Sequence, residues 1–401
     1  MRVSSNQLFS SSLSHFLSLQ QSIQKYQLQV ATGKRSASPA DDPIGAAKSM
    51  NLDDRLVALQ QFDRNANLAN LRLAEQETTI EATQNTLQRV RELVLQSKTR
   101  ALTTADRRFI AAEVGERLNE VLNLANGKNA SGEYLFAGTA VNVTPFTADT
   151  AGNIQYNGNQ IVRELAITDG RKISEGLSGA EVFMGVRNGN GTFVANLNAG
   201  NTGTGRVIND VVVTSSAVTT DSFNIVFTAP TTFNLVNATT GATVLAAQPY
   251  TDGASIAFNG VSLGITGKPA AGDQFSIGPS QNQSVFATIA KAKADMSVDL
   301  TSDKLSSDFS FNLDRALAEI DNSLETMNVA RAEIGSRQNA ITSQIRINGD
   351  VKLELETVKS NVEDVDLASA ISQLARYSQT LEAAQQAFVK VQGLSLFNFL
   401  R

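Results

Sequence analysis

An apolar residue recurs at every seventh position within the first hundred residues of the chain. The series is Leu52, Leu59, Ala66, Leu73, Ile80, Leu87 and Val94. A seven-residue repeat places one narrow apolar stripe along a helix. A helix over Ile44–Arg100 would be roughly 85 Å long at about 1.5 Å per residue, far beyond an ordinary globular helix. Because so narrow a stripe is stable only when another helix covers it, the repeat predicts a rod of paired helices.

Both ends of the chain carry stripes of the same kind. The N-terminal stripe consists of Phe9, Phe16, Leu19, Ile23, Tyr26 and Val30. The C-terminal stripe consists of Leu367, Ala370, Leu374, Tyr377, Leu381, Ala384, Phe388 and Val391, and a further stripe covers Leu313–Ile345. Since neither end is stable alone, we expect the two ends to pack against each other.

The composition between these flanks is different. It is rich in Gly, Thr, Asn and Val, and a third helix over about Thr104–Asn126 comes before it. Segments such as SFNIVFT and ASIAFNGVSLGI alternate apolar and polar residues, and Asn259-Gly260 marks a tight hairpin. We predict an inserted β-domain over Gly185–Pro279. The preceding segment NIQYNGNQIVRELAITDGRKI is expected to form a separate hairpin.

These patterns predict an α+β multidomain chain, in which both chain ends form a long antiparallel helical bundle or coiled-coil rod with an inserted β-domain. The predicted terminal coiled-coil domain covers residues 1–41 and 361–401. A helical rod domain with a β-hairpin covers 42–184 and 280–360, and the inserted β-domain covers 185–279.

The stretch VATGKRSASPADDPIGAAK, which begins at Val30, could be a phosphate-binding loop or a joint between helices. A phosphate loop requires an earlier glycine where Leu28 stands, and a Ser or Thr where Arg35 stands. The stretch also follows a helix and not a strand. We therefore interpret it as a joint.

Each residue of this joint has a local structural role. Gly33 ends the first helix, and Pro39 prevents its continuation. Asp41 or Asp42 caps the next helix, with Pro43 in its first turn. The predicted inter-domain joint is thus Gly33, Pro39, Asp41, Asp42 and Pro43.

Composition excludes several classes of function. The net charge of −5 offers no basic surface for nucleic acid. The chain has no Cys and one His, at position 15, which excludes disulfides and most zinc or acid–base sites. No run of about 18 apolar residues occurs, as a membrane span would need. We expect no enzymatic activity, no cofactor, no metal site, and neither nucleic acid nor membrane as a partner.

Several stretches resemble the flagellin family of bacterial axial proteins. ATGKRSASPADDPIGAA is similar to the family's first inter-domain link, and NLANLRLAEQ with LQRVRELVLQS resembles its long N-terminal rod helix. RAEIGSRQN and NVEDVDLASAISQLARYSQTLEAAQQA resemble the C-terminal rod and terminal helix. GEYLFAGTAVNVTPF, GITGKPAAGDQFSI and the ending LSLFNFL look more like the hook-associated junction branch of this family than like flagellin.

The resemblance implies a structural adaptor that joins the hook side of the flagellum to the filament. Expected partners are further copies of this chain, hook-associated protein 1 on the hook side, flagellin on the filament side, and an export chaperone on the C-terminal helix. Assembly would use the stripes of the terminal helices, with the β-domain facing outward. The implied assembly residues are Phe16, Leu19, Ile23, Tyr26, Leu374, Tyr377, Leu381, Phe388, Val391, Leu396 and Phe397.

The resemblance also implies export through the flagellar type III apparatus and an extracellular location in the flagellum. The N-terminal sequence MRVSSNQLFSSSLSHFLSL agrees with this expectation, since it lacks the apolar core of a cleaved secretory signal. Two alternatives remain at the level of sequence. The chain could be flagellin itself, or an extracellular adhesion or binding protein that acts through the β-domain.

Overall fold

The computed structural model describes residues 5–36, 38–99, 101–213 and 221–399. Within them six α-helices frame a strand-rich middle, which confirms the predicted fold class. The helices are α1 (Ser5–Thr32), α2 (Pro43–Ser97), α3 (Thr104–Ala125), α4 (Val285–Met296), α5 (Asp303–Glu363) and α6 (Leu367–Phe399). With 55 and 61 residues, α2 and α5 are far longer than the mean globular helix of about 11–12 residues.

The chain divides into two compact units. One comprises Met1–Arg64 with Ser343–Arg401, and the other is Asn65–Thr342. The division predicted from the sequence has three parts and different boundaries, and those boundaries stay a prediction.

Within the unit Asn65–Thr342, α2 and α5 run antiparallel. The heptad positions of both helices are buried, among them Leu73, Ile80, Leu87, Val94, Leu313, Ile320, Met327 and Ile334. Among the polar contacts between the two helices, three lie seven residues apart along each helix: Gln84 with Asn328 at 2.7 Å, Arg91 with Asp321 at 2.6 Å, and Lys98 with Asp314. The apolar stripe and the polar contacts therefore follow the same seven-residue repeat.

The third helix begins and ends close to its predicted limits. The Thr103 hydroxyl accepts a hydrogen bond from the Asp106 N–H, and the Asp106 carboxylate accepts one from the Thr103 N–H, at 3.2 and 2.9 Å. This reciprocal capping pairs backbone donors that the first turn of a helix leaves free. The inner face of α3 is buried through Ile110, Val114 and Val121, and α3 packs on α4.

The segment between α3 and the insert holds two hairpins, one more than the sequence predicted. Strand β1 (Phe146–Ala148) pairs with β2 (Ile154–Tyr156), and β3 (Glu164–Thr168) pairs with β4 (Arg171–Ser174). The predicted segment contains three of these strands, and β1 lies before it. Four strands of three to five residues leave little alternation from which a sequence could separate them.

The insert forms two antiparallel sheets. A five-stranded sheet has the order β10-β9-β8-β13-β6, and a three-stranded sheet has the order β11-β12-β7. The strands are β6 (Phe193–Leu197), β7 (Arg206–Val213), β8 (Phe223–Ala229), β9 (Thr232–Asn237), β10 (Thr243–Pro249), β11 (Ser255–Phe258), β12 (Val261–Thr266) and β13 (Gln274–Pro279). Where the chain enters and leaves the insert, β5 (Val186–Arg187) pairs with β14 (Asn282–Gln283).

The predicted turn at Asn259-Gly260 joins β11 to β12. Both residues have positive φ, at 43° and 78°, as the tight hairpin turn of this dipeptide requires. Apolar side chains of the two sheets form one shared core.

Candidate assembly helices and joint

The two ends of the chain pack against each other, as predicted. α1 runs antiparallel to α6, and aromatic pairs mark their contact. The rings of Phe16 and Phe388 meet edge to face with centroids 5.5 Å apart, and those of Tyr26 and Tyr377 stack at 5.5 Å. Such aromatic pairs contribute roughly 0.5–1.5 kcal/mol beyond their buried area. We call this contact between α1 and α6 the terminal seam.

The side chains of the terminal seam are only half-buried within one chain. This holds for Phe16, Leu19, Ile23, Tyr26, Leu374, Tyr377, Leu381 and Phe388. The side chains of Val391, Leu396 and Phe397, also predicted to serve assembly, lie outside the described residues. Two helices alone cannot enclose a stripe of large aromatic side chains, so much of the seam faces solvent in the monomer.

Further apolar side chains lie beside the seam and are more exposed. Leu17 on α1 and Val389 on α6 are 52% and 70% exposed. The others are Leu13 and Leu28 on α1, and Leu367 and Ile371 on α6. Of these six residues the predicted stripes included Leu367 and missed the other five, because the heptad selects only the positions that face the partner helix. Leu13, Leu17 and Leu28 nevertheless stand out in the polar, Ser-rich and Gln-rich sequence of α1.

The joint is crossed by two links of the chain. The first link, between α1 and α2, has the local geometry expected from the sequence. Gly33 follows α1 with a φ of +70°, a left-handed conformation that favours glycine. Asp42 caps α2 by accepting a hydrogen bond from the Gly45 N–H at 2.8 Å, and Pro43 is the first helical residue. Asp41 closes the preceding turn instead, since its carboxylate accepts from the Ser38 N–H at 3.0 Å. Pro39 lies between Ser38 and Asp41 in that turn.

The second link, between α5 and α6, supplies hydrogen-bond partners for the first link that reasoning from the sequence missed. The Arg35 N–H donates to the Glu363 carbonyl at 2.7 Å, and the Val365 N–H donates to the Gly33 carbonyl at 3.0 Å. Asp366 caps α6 through the Ala368 N–H at 3.0 Å. The helix breaks in the α1–α2 link and in the α5–α6 link therefore lie side by side. The acidic run EDVD at 363–366 was the available signal.

Lys34 joins the α1–α2 link to the α5–α6 link through ion pairs. Its ammonium lies 2.7 Å from Asp364 and 2.9 Å from Glu363. Hydrogen bonds to these two carboxylates raise the pKa of Lys34. The pKa of Asp364 is lowered mainly by its hydrogen bond from Lys34, and the pKa of Glu363 first by one from Ser49 and then by that from Lys34. The predicted role of this region as an inter-domain joint stays a prediction.

The first terminal helix carries the single histidine of the chain. His15 is exposed on α1. Across the part of the chain that the structure describes, no group of three or more His, Asp or Glu side chains is placed to hold a metal ion. Within the same ranges, no helix has the length and apolarity needed to cross a membrane.

Three family models match the chain. The model of the bacterial flagellin N-terminal helical region matches residues 3–141, and that of the bacterial flagellin C-terminal helical region matches 317–400. A third model, the D2-like domain of flagellar hook-associated protein 1, matches residues 196–279. These matches cover most of both helical flanks and most of the inserted β-domain.

Curated relatives match over most of their length. Flagellar hook-associated protein 3 of Salmonella typhimurium is 22% identical over 406 residues, which is 100% of both chains. A flagellin of Clostridium tyrobutyricum is 24% identical over 360 residues, 89% of this chain and 90% of its own.

Solved structures are similar as well. The crystal structure of Xanthomonas campestris FlgL is 32% identical with a TM-score of 0.69, and the match covers 77% of this chain and 99% of that one. The flagellar junction protein FlgL of Legionella pneumophila is 27% identical with a TM-score of 0.70, covering 79% of this chain and 100% of that one.

Proposed function

Because the chain belongs to the flagellin family, we propose that it is the structural adaptor that joins the hook of the bacterial flagellum to the flagellin filament. The observation that carries this proposal is the match along the whole chain to hook-associated protein 3, the insert included. Solved FlgL chains support it, since nearly the full length of each aligns with this chain. The insert also matches a domain of a hook-associated protein.

The terminal seam is the proposed site of assembly. Its aromatic residues are half-buried, and exposed Leu17 and Val389 flank them. Burying an apolar side chain contributes roughly 1.5–3 kcal/mol, so a neighbouring copy that covers this surface would stabilise both subunits. The terminal helices of such a subunit are therefore weakly stabilised in the monomer and firmly stabilised once neighbouring copies in a ring cover them. The assembly role of the predicted residues is part of this proposal.

The same reasoning assigns the other partners. A junction subunit has two unlike neighbours along the flagellar axis, and we assign hook-associated protein 1 to the hook side and flagellin to the filament side. Before assembly the exposed apolar surface of α6 needs protection in the cell, which an export chaperone would provide. Export would use the flagellar type III apparatus. In this role the chain is a building block without enzymatic activity.

A deletion strain tests the proposal. Electron microscopy should find hooks without filaments, and monomeric flagellin should collect in the medium. Expression of this chain from a plasmid should restore filaments. In the wild type, gold-labelled antibody against this chain should mark a band where the hook meets the filament.

Two other outcomes would overturn the proposal. Labelling along the whole filament would identify the chain as flagellin, the alternative that the Clostridium match supports. Normal flagella in the deletion strain would indicate an adhesion protein that acts through the β-domain.

A further inference from the structure

The inserted β-domain lies along the first turns of α5. Ser307 donates to the Thr204 carbonyl at 2.8 Å, and Arg315 donates to the Asn196 side chain at 2.7 Å. About two turns further along α5, Asn322 donates to the carbonyls of Arg187 and Gly189, both at 2.9 Å. The described contacts thus extend over sixteen residues of α5, from Ser307 to Asn322. They are not limited to the two strands where the chain enters and leaves the insert.

Phe311 of α5 belongs to the core of the insert. It is 6% exposed, and among the described residues of that core it alone comes from outside 185–279. The other members are Phe193, Val207, Phe223, Ile225, Phe227, Phe233, Leu235, Ile256, Phe258, Val261, Leu263, Ile265, Phe275 and Ile277. A domain that completes its own core would not need this side chain. Rotation of the insert away from α5 would draw Phe311 out into water.

Buried charges beside Phe311 oppose such a rotation too. The Arg315 side chain is 10% exposed, and its guanidinium lies 5.7 Å from the centre of the Phe311 ring. Glu319, one turn later, is 3% exposed and accepts hydrogen bonds from the Gly189 N–H at 3.4 Å and from Gln283 at 2.7 Å. Arg315 and Glu319 also pair with each other along α5, at 3.7 Å, but their hydrogen bonds with Asn196 and Gly189 exist only while the insert stays in place. A buried polar group that loses its partner is costly.

We propose that Phe311 and Arg315 are positioning residues, which lock the inserted β-domain at one angle to the helical part of the chain. The insert is then a rigid part of the subunit and does not swing on its connecting strands. Any surface that it presents has a defined orientation, and a load on it passes directly to α5. This inference concerns contacts inside one chain and does not depend on the proposed place in the flagellum.

Distance measurement by double electron–electron resonance tests the proposal on the full chain. The sequence contains no Cys, so two introduced cysteines carry spin labels without a background. Thr243→Cys on β10 and Ala112→Cys on α3 place the labels at exposed positions of the insert and of the helical part. With Phe311 intact we expect a single narrow distance distribution.

Phe311→Ala should broaden that distribution at least twofold, and Phe311→Leu should keep it narrow, because leucine still fills the core. The control is Phe309→Ala. Phe309 lies two residues earlier on α5 and is 8% exposed, but it contacts Arg107 of α3, with the guanidinium 5.3 Å from its ring. This control loses a similar side chain and should keep the narrow distribution.

A second variant covers the case in which Phe311→Ala unfolds the insert. Asn322→Ala removes two hydrogen bonds to Arg187 and Gly189, where the chain enters the insert, and leaves the core intact. This variant should also broaden the distribution. An unchanged distribution in both Phe311→Ala and Asn322→Ala would overturn the proposal. So would equal broadening in Phe309→Ala, since the effect would then be a general loss of stability.

Discussion

Replacing Asp295 with asparagine should stabilise the protein at neutral pH. Asp295 is half-buried in the last turn of α4. Its Oδ1 accepts a hydrogen bond from the Asn312 amide at 3.0 Å, while its buried Oδ2 has no hydrogen-bond partner among the described residues. The end of a helix is also the negative end of its dipole, where a carboxylate is unfavourable. Charge at this position therefore weakens the fold.

The pKa of Asp295 gives the size and the pH range of the effect. Burial raises this pKa from 3.8 to about 6, and the negative charge of Glu319 adds to the rise, against the opposing hydrogen bond from Asn312. Between these two pH values the folded chain holds more protons than the unfolded chain, so stability falls as the pH rises and stays low above about 6. At about 1.4 kcal/mol per pKa unit the full shift corresponds to about 3 kcal/mol. Solvent screening at this partly exposed group reduces it to about 1–2 kcal/mol.

Melting temperatures measured from pH 3.5 to pH 8 test this prediction. At pH 8, Asp295→Asn should melt about 2–4 °C above the wild type, and at pH 3.5 the two should coincide. Asp299→Asn is the matched control, because Asp299 is exposed and pairs with Arg108 at 3.1 Å on the surface. It should change the melting temperature little at any pH. An Asp295→Asn variant that is less stable at pH 8, or that keeps the wild-type pH dependence, would refute the reasoning.

Three further predictions concern the terminal seam and the joint. Replacing Leu381 and Phe388 together by Asp puts two charges into an apolar contact at a cost of about 2 kcal/mol or more. Electron micrographs of this variant should show that filaments fail to attach. The control is Gln385→Asp on the exposed face of α6, which should leave filaments attached. Gly33→Ala should destabilise by about 1 kcal/mol in chemical unfolding, because the new side chain meets open space but the φ of +70° disfavours it; no loss would mean that the backbone relaxes. Lys34→Met should lower the melting temperature at pH 7, with a difference that shrinks as the pH falls below the ordinary carboxyl range. The reason is that carboxylates with a lowered pKa contribute their full stability above that range and lose it as they become protonated below it. An unchanged difference at low pH would show that Lys34 acts through packing alone.

Local patterns in the sequence determined the helices and their caps. The seven-residue repeat from Leu52 to Val94 predicted a long helix with a buried stripe, and α2 has both. Gly33, Asp42 and Pro43 predicted the end of one helix and the start of the next, because each acts on backbone groups within a few residues of itself. The turn at Asn259-Gly260 is local in the same sense. The resemblance carried by the flanks predicted the family.

Tertiary structure decided which distant residues meet. Lys34 finds its carboxylates more than three hundred residues away, and Phe311 enters the core of an insert that ends before α4 begins. Asp295 acquires its raised pKa from burial and from the charge of Glu319 on α5, which the sequence of α4 around it does not reveal. A heptad repeat or a helix cap depends on residues within one or two turns of each other, so it can be recognised in the local sequence. Burial and ion pairing depend on which surfaces come together, and no short segment of this chain records that.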